Sequence, residues 1–394
     1  MTSINLSESN ATGSLKPGIG PSTSTCFIHA SDIHLGSHQY RNDNRADDFI
    51  NALQEILNLA IQHNADFILL GGDVFTSLEM LPGKLTSIID LLMCFQNNTN
   101  STIPIIAIEG NHDIRKFSRG VRFAQHGQSW LKLLARLGLI VLLDGNLDLP
   151  PDQVFQPYDF TGRKGGKIQV KNVMIYGTRY LGEKPVEHLS RIRKAIDRDD
   201  GLFHILLQHF GIQGQMEGVP GINLELIQHL KHRVHYLALG HFHKQFILDD
   251  WIYNPGSSEA VSSIDNSFGR GIFLVNVNYA TKFKKTVKTI RLNNRKYQWR
   301  TVHFPKQVNH KDDLFKHVFQ ELKAQLNTLN QELPPSDNEM PMLYLRLKGK
   351  EPAKSLKIKE KELREFICQK FPVVDARIYQ KFDDSITTMD KYIK

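Results

Sequence analysis

Residues 67–73 read Phe67-Ile68-Leu69-Leu70-Gly71-Gly72-Asp73: four apolar residues, two glycines and a carboxylate. A short apolar run that stops at glycine and a polar residue is the pattern of a buried strand leaving its sheet through a sharp turn. The pattern recurs on both sides. Upstream, Cys26-Phe27-Ile28-His29-Ala30 leads into Ser31-Asp32-Ile33-His34; downstream, Ile103 to Ile108 leads into Glu109-Gly110-Asn111-His112-Asp113. Between these runs, Asp47 to His63 sets Phe49, Ile50, Leu53, Ile56, Leu57 and Ala60 at helical spacing, and a second helix is expected over Leu85 to Phe95. Strand, helix, strand, helix, strand, with polar residues at each strand's C-terminal end, spells an α/β fold. In open sheets of this kind, sites form beyond those ends.

The grammar continues. Strands are expected over Val170 to Gly177, over Leu202 to Leu207 before Gln208-His209, and over Tyr236 to Leu239 before Gly240-His241-Phe242-His243. After Asn254-Pro255-Gly256-Ser257-Ser258 the texture turns antiparallel, around Gly271 to Val277 and Lys284 to Leu292. From Phe304-Pro305 a new unit is expected: helix Asp312 to Leu329, a Pro-rich break at Leu333-Pro334-Pro335, strand Met342 to Leu347, helix Lys359 to Phe371 and strand Asp375 to Gln380. The expected organisation is a disordered tail over 1–25, rich in Ser, Thr, Asn and Gly, a main unit over 26–305 and a smaller one over 306–394.

Composition bounds the rest. With 41% hydrophobic and 23% charged residues, a largely disordered chain is excluded. No apolar run approaches the ~18–20 residues that span a bilayer, so no membrane role is expected. The first 25 residues lack an apolar core and arginine, as a secretory or transit signal would not. Three cysteines (Cys26, Cys94, Cys368) lie far apart and follow no disulfide or metal spacing, which points to a reducing, cytoplasmic location.

Five polar clusters sit at strand ends: Asp32-x-His34, Gly72-Asp73, Gly110-Asn111-His112-Asp113, His209 and Gly240-His241-x-His243. Taken singly, most have a bland reading. Asp-x-His is usually a turn or cap, Gly-Asp an ordinary turn, and a lone histidine after an apolar strand a satisfied core residue. Together they supply two carboxylates, one amide oxygen and four or five imidazoles. That mixture suits Mn, Fe or Zn better than the all-oxygen sites of Mg or Ca. There are more ligands than one tetrahedral ion uses, so two divalent ions sharing a ligand are expected, a centre that clamps phosphate and activates water. Gly72, Gly110 and Gly240 each precede a proposed ligand and are read as permitting the sharp turns.

These residues resemble the calcineurin-like metallophosphoesterase family, and more narrowly its DNA-repair exonuclease branch typified by SbcD. The likeness rests on Phe27-Ile28-His29-Ala30-Ser31-Asp32-Ile33-His34-Leu35-Gly36, Gly72-Asp73-Val74-Phe75, Ala238-Leu239-Gly240-His241-Phe242-His243-Lys244 and Tyr253-Asn254-Pro255-Gly256-Ser257-Ser258. It implies an αββα sandwich over 26–305, as the nuclease domain, with a small C-terminal α/β capping domain over 306–394. One ion would take Asp32, His34 and His243, the other Asn111, His209 and His241, with Asp73 bridging. Manganese is the ion the resemblance favours. His112 would face the phosphate as transition-state stabiliser or proton donor, oriented by Asp113. The resemblance also implies DNA as substrate, an SbcC-like coiled-coil ATPase partner and a homodimer, although little chain follows Gln380 to form a docking helix pair. One position departs from the pattern: Thr76 stands where many members of this branch carry a histidine that helps place the DNA end, which weakens the case for a processive exonuclease over an endonuclease.

The net charge of +8 has a local source. From Ala280 to Thr301, Lys282, Lys284, Lys285, Lys288, Arg291, Arg295, Lys296 and Arg300 occur without an acidic residue, interleaved with Phe283, Tyr297 and Trp299. That is a candidate DNA contact; its bland reading is a solvated edge strand. The alternative substrate for the same metals is a cyclic nucleotide or another small phosphodiester. A Ser/Thr protein phosphatase fits less well, because that branch has Gly-Asn-His-Glu where this chain has Gly110-Asn111-His112-Asp113. A DNA-end-binding scaffold with a dead centre is disfavoured by the full ligand set.

Overall fold

The structure is a computed structural model that describes residues 24–39, 42–114, 129–182, 185–196, 201–279, 282–326, 340–353, 356 and 359–382. The expected disordered tail, apart from Ser24 and Thr25, and the Pro-rich break at 333–335 lie outside these residues. Alternating apolar runs assemble into two six-stranded sheets. The first contains β1 (Ser24–Ala30), β2 (Phe67–Leu70), β3 (Ile105–Ala107) and β4 (Val141–Leu142), all parallel. The second is built on β5 (Lys167–Val170), β6 (Val173–Gly177), β7 (Phe203–His209), β8 (Tyr236–Gly240), β9 (Phe246–Leu248) and β10 (Ile252–Asn254). β11 (Ile272–Tyr279) and β12 (Phe283–Ile290) then return to the first sheet, where β11 pairs antiparallel with β1.

Period-two alternation decides which side chain meets which layer. Phe27, Phe67, Leu69 and Ile106 of the first sheet meet Ile175, Ile205, Leu207 and Ala238 of the second in a central core. The outward residues Ile28, Ile68, Leu70 and Ala107 pack on the helices α1 (Asp43–Gln62), α2 (Pro82–Asn98) and α3 (Trp130–Arg136). Leu206, Leu237 and Leu239 face α5 (Val186–Ala195), which follows the single-turn α4 (Pro151–Val154). This is the αββα sandwich.

Three boundaries differ from expectation, each for a physical reason. β1 begins at Ser24, because polar Ser24 and Thr25 are carried into the sheet by pairing with Asn278 and Val277. α1 starts at Asp43, capped by Asn42, whose Oδ1 accepts the amides of Asn44 and Arg45. Its first two turns bury Arg45 and Asp48, which no apolar periodicity can report. The run expected as one strand from Val170 is a hairpin, turned at Lys171 in the left-handed region (φ 52°).

A third, parallel sheet comprises β13 (Tyr297–Phe304), β14 (Met342–Gly349) and β15 (Asp375–Phe382). Helices α6 (Lys311–Leu326) and α7 (Glu360–Lys370) cover one face through Val302, Leu314, Val318, Leu345 and Ile367. β13 precedes residue 306 in the chain yet pairs with β14 along its whole length.

What joins this sheet to the sandwich is a buried ion cluster. Arg295 (4% exposed) binds Asp48 with both Nε and Nη2, at 2.5 and 2.6 Å, and donates through Nη1 to the Met340 carbonyl. Fully buried Arg45 pairs with Asp48 and Glu259 and donates to Tyr297 Oη at 2.8 Å. The expectation that Arg295 contacts DNA is therefore overturned: its guanidinium is consumed inside the protein, at the root of β13. Breaking one member of a buried pair costs roughly 3–5 kcal/mol. Arg295→Ala should lower the unfolding free energy by about that amount in urea titration, and Arg295→Lys, which cannot make the bidentate contact, should recover little of it.

Candidate metal centre

The C-terminal ends of β1, β2, β3, β7 and β8 converge on one rim, and the five polar clusters meet there. Asp32, His34 and His243 present ligand atoms within 4.8 Å of one another, and so do Asp73, His209 and His241. Asn111 joins the second group, its Oδ1 lying 3.1 Å from His209 Nε2 and 3.0 Å from His241 Nδ1. The structure thus brings all seven sequence-named ligands to two adjoining sites.

The backbone is bent to do this. Asp32, His34, Asp73 and His241 all hold positive φ (49°, 54°, 49° and 91°), a region in which non-glycine residues are rare and which costs ~1–3 kcal/mol each. Only Gly72 among the three expected turn glycines has positive φ, at 91°. Gly110 and Gly240 are needed for space instead: a Cβ would run into Asp73 at the first and into Ser31 and Gly71 at the second.

Partners outside the clusters orient the ligands. His209 Nδ1 lies 2.7 Å from the Gly71 carbonyl, which can only accept, so Nδ1 donates and Nε2 turns towards Asp73 Oδ2 at 3.2 Å. His243 Nδ1 is held 2.9 Å from Asp265 Oδ2, which also accepts the amides of Val261 and Ser262. Asp32 accepts Ser31 Oγ at 2.6 Å and the His241 amide. Asn254 Nδ2 donates to the carbonyls of Phe242 and Lys244 and so pins the turn that carries His243.

Divalent cations fit this donor set. His34 Nε2 and His243 Nε2 face each other at 3.1 Å with Nδ1 of His243 already engaged, and His34 Nδ1 is buried without a hydrogen-bond partner. Imidazoles whose second nitrogen binds a carbonyl or carboxylate are in the arrangement of metal ligands. Burial, then His243, pushes His34 down to about 3, and burial, then His209, pushes His241 down to about 4. Burial opposes charge on both Asp73 and His209, but their mutual attraction wins, holding Asp73 well below the usual carboxylate range and His209 up to about 9.

Two expectations need correction. Asp113 does not orient the His112 ring: buried, it accepts the amides of Gly110 at 2.9 Å and Phe75 at 2.8 Å and ties two ligand loops together. Its own ionisation is pushed well up by burial and by Asp73. His112 is oriented by the Thr76 carbonyl, 3.0 Å from Nδ1, while its amide donates to Asp73 Oδ1 at 2.7 Å. The basic stretch is not one surface either. Lys284 and Lys288 are exposed on β12, Lys285 pairs with Asp250, Lys282, Arg291 and Lys296 are exposed, and Arg300 bonds Gln298 and its neighbour's carbonyl on β13 of a different sheet.

Asp265, Ser31 and the Thr76 carbonyl were missed. Asp265 sits 22 residues beyond its histidine at the start of a short 3-10 turn, Asp265–Ser267, and no spacing motif announces it. Losing such an outer partner typically costs 10–100-fold in metal affinity or activity. Asp265→Asn should weaken metal binding by roughly that factor in a chelator-competition titration, with folding intact.

Comparison with known proteins follows the same lines. The calcineurin-like phosphoesterase family model matches residues 27–245. The chain is similar to the "DNA double-strand break repair protein Mre11" of Archaeoglobus fulgidus, 39% identical over 113 residues, which are 29% of this chain and 24% of that protein. It is also similar to the protein of the same name from Saccharolobus solfataricus, 24% identical over 388 residues, covering 92% and 84%. An uncharacterized metallophosphoesterase of Bacillus subtilis, YhaO, is 25% identical over 267 residues, covering 65% and 58%. The match to the Archaeoglobus protein thus spans about a quarter of that relative's length. With strand-end ligands in two adjoining groups and a family match over more than half of its 394 residues, the chain belongs to the calcineurin-like phosphoesterases, enzymes that hydrolyse phosphoesters.

Proposed function

We propose that the chain is a two-metal DNA phosphodiesterase acting in DNA repair. The observation that carries the two-metal part is the pair of three-residue ligand groups, Asp32/His34/His243 and Asp73/His209/His241, on one rim. The similarity to an archaeal break-repair protein over 92% of the chain supports DNA as the substrate. Asn111 would join the second group, and Asp73, whose charge is tied to His34 of the first group as well as to His209 of the second, would be the ligand shared between the two ions. Mixed imidazole, carboxylate and amide donors favour manganese over magnesium. Bound there, such ions clamp phosphate oxygens and acidify a water.

The remaining chemistry belongs to side chains. His112 is exposed beside His34, ring centroids 5.0 Å apart, with Nδ1 committed to Thr76. Nε2 is then the atom that meets the phosphate. Since Nδ1 keeps its hydrogen for the Thr76 carbonyl, it is the imidazolium form that carries a second proton on Nε2, steadies the phosphate charge and passes that proton to the leaving oxygen, leaving the neutral ring. Purified protein with Mn should cleave labelled single- or double-stranded DNA alongside a chromogenic phosphodiester. Cleavage of the small ester with no DNA cut in any form overturns the reading in favour of a small-phosphodiester hydrolase.

A further inference from the structure

One buried cation behind the rim takes no part in the chemistry assigned to it. Arg270 is 8% exposed and lies just before β11. Its Nη1 donates to the backbone carbonyl of Asp265 at 3.2 Å. Its Nη2 stands 3.9 Å from Glu259 Oε1, beyond hydrogen-bond range, and its Nε is buried with no hydrogen-bond partner among the described residues. That Glu259 oxygen is already engaged, accepting the Ala260 amide at 2.6 Å and Arg45 Nη2 at 3.4 Å. A guanidinium so enclosed and so weakly paired is a poor stabiliser of a fold. Ion pairing therefore does not explain its place.

Its neighbours do. Asp265 opens the 3-10 turn that Arg270 holds by the carbonyl, and its carboxylate is the group that orients His243. The carboxylate is otherwise fixed only by its own loop, through the amides of Val261 and Ser262 and the Ser262 hydroxyl at 2.9 Å. Arg270 also reaches the turn that carries His243. A Cβ on Gly256, which has φ 77°, would meet the His243 carbonyl at 2.5 Å and Arg270 Cβ at 3.2 Å. Gln245, two residues past His243, donates its amide to the Gly269 carbonyl at 2.7 Å. Arg270 and the residue before it are thus packed against both the ligand's loop and the carboxylate behind the ligand. Metal ligands bind well only when such supporting groups hold them within roughly 0.5 Å of the productive geometry.

We propose that Arg270 is a positioning residue for the metal centre: by clamping the Asp265 carbonyl it fixes the carboxylate that orients His243, and so sets the affinity of the site formed by Asp32, His34 and His243. This rests on the two-metal reading above. Manganese affinity would be measured by chelator competition on the full chain, for native protein, Arg270→Met, Arg270→Gln and Arg270→Lys, with urea titration to check folding. Either uncharged variant should raise the Kd of one ion about tenfold, the low end of the range for an outer partner, and that of the other less than about threefold. Arg270→Lys, whose ammonium can still donate to the carbonyl, should restore most of the affinity. In an Asp265→Asn background, Arg270→Met should add less than about twofold, because both substitutions act on one imidazole. Native affinity in folded Arg270→Met, equal weakening of both ions, or losses that multiply with Asp265→Asn overturn the proposal. So does failure of both uncharged variants to fold, which assigns Arg270 to stability. A native protein that binds a single ion, weakened by Arg270→Met, overturns the two-metal reading and leaves Arg270 in its role; two ions indifferent to Arg270 do the reverse.

Discussion

Replacing His112 by alanine should lower kcat on DNA by about 10²–10⁴-fold, the range for loss of a positioned acid or base, while both metal sites stay filled. The geometry separates the two effects. His112 belongs to neither ligand group, and its side chain is anchored by a carbonyl, Thr76 O, that survives the substitution. The deficit should also depend on the leaving group. A nitrophenyl diester departs as a stable anion and needs little protonation, whereas a nucleoside oxygen needs it most. His112→Ala should therefore cut DNA turnover more than chromogenic turnover. Equal losses on both would show that the imidazole stabilises charge without giving a proton, and loss of metal would show that it is a ligand. Asp113→Asn is a contrasting case. It should act through the loops that Asp113 ties together, lowering stability and turnover on both substrates alike.

Asp73→Asn should be at least as damaging, with kcat reduced by ~10³-fold or more: several kcal/mol of metal-centred stabilisation at about 1.36 kcal/mol per tenfold. The substitution keeps the shape and removes the charge. That charge is what sustains His209 above its ordinary range, and Asp73 Oδ1 also receives the His112 amide. Metal analysis should show fewer ions per chain than in the native protein. A full complement of ions with native turnover would remove Asp73 from the centre.

The seven proposed ligand residues stand out in the sequence because each lies at the end of a short apolar strand or in the turn that leaves it. Both are local features: alternation of burial marks the strand, and Gly72 or the polar dipeptide marks its exit. The third sheet is legible for the same reason from Met342 onward. β13 is less so, since most of Tyr297 to Phe304 lies in the basic stretch that ends at Thr301, and its place as a strand comes from pairing with β14.

The sequence by itself determined the α/β alternation, the polar strand ends and the donor chemistry of the rim. These depend on side-chain types within a few residues of one another. Tertiary structure decided what each charge does. Arg295 was counted among DNA contacts but folds onto Asp48, 247 positions away, and Asp113 serves Phe75 and Gly110 rather than the ring next to it. Asp265 becomes the orienting carboxylate of His243, and Thr76 serves His112 through its backbone carbonyl. The reason is physical. A charge in a chain has many possible partners, and burial selects among them only when distant segments pack and remove the solvent alternative.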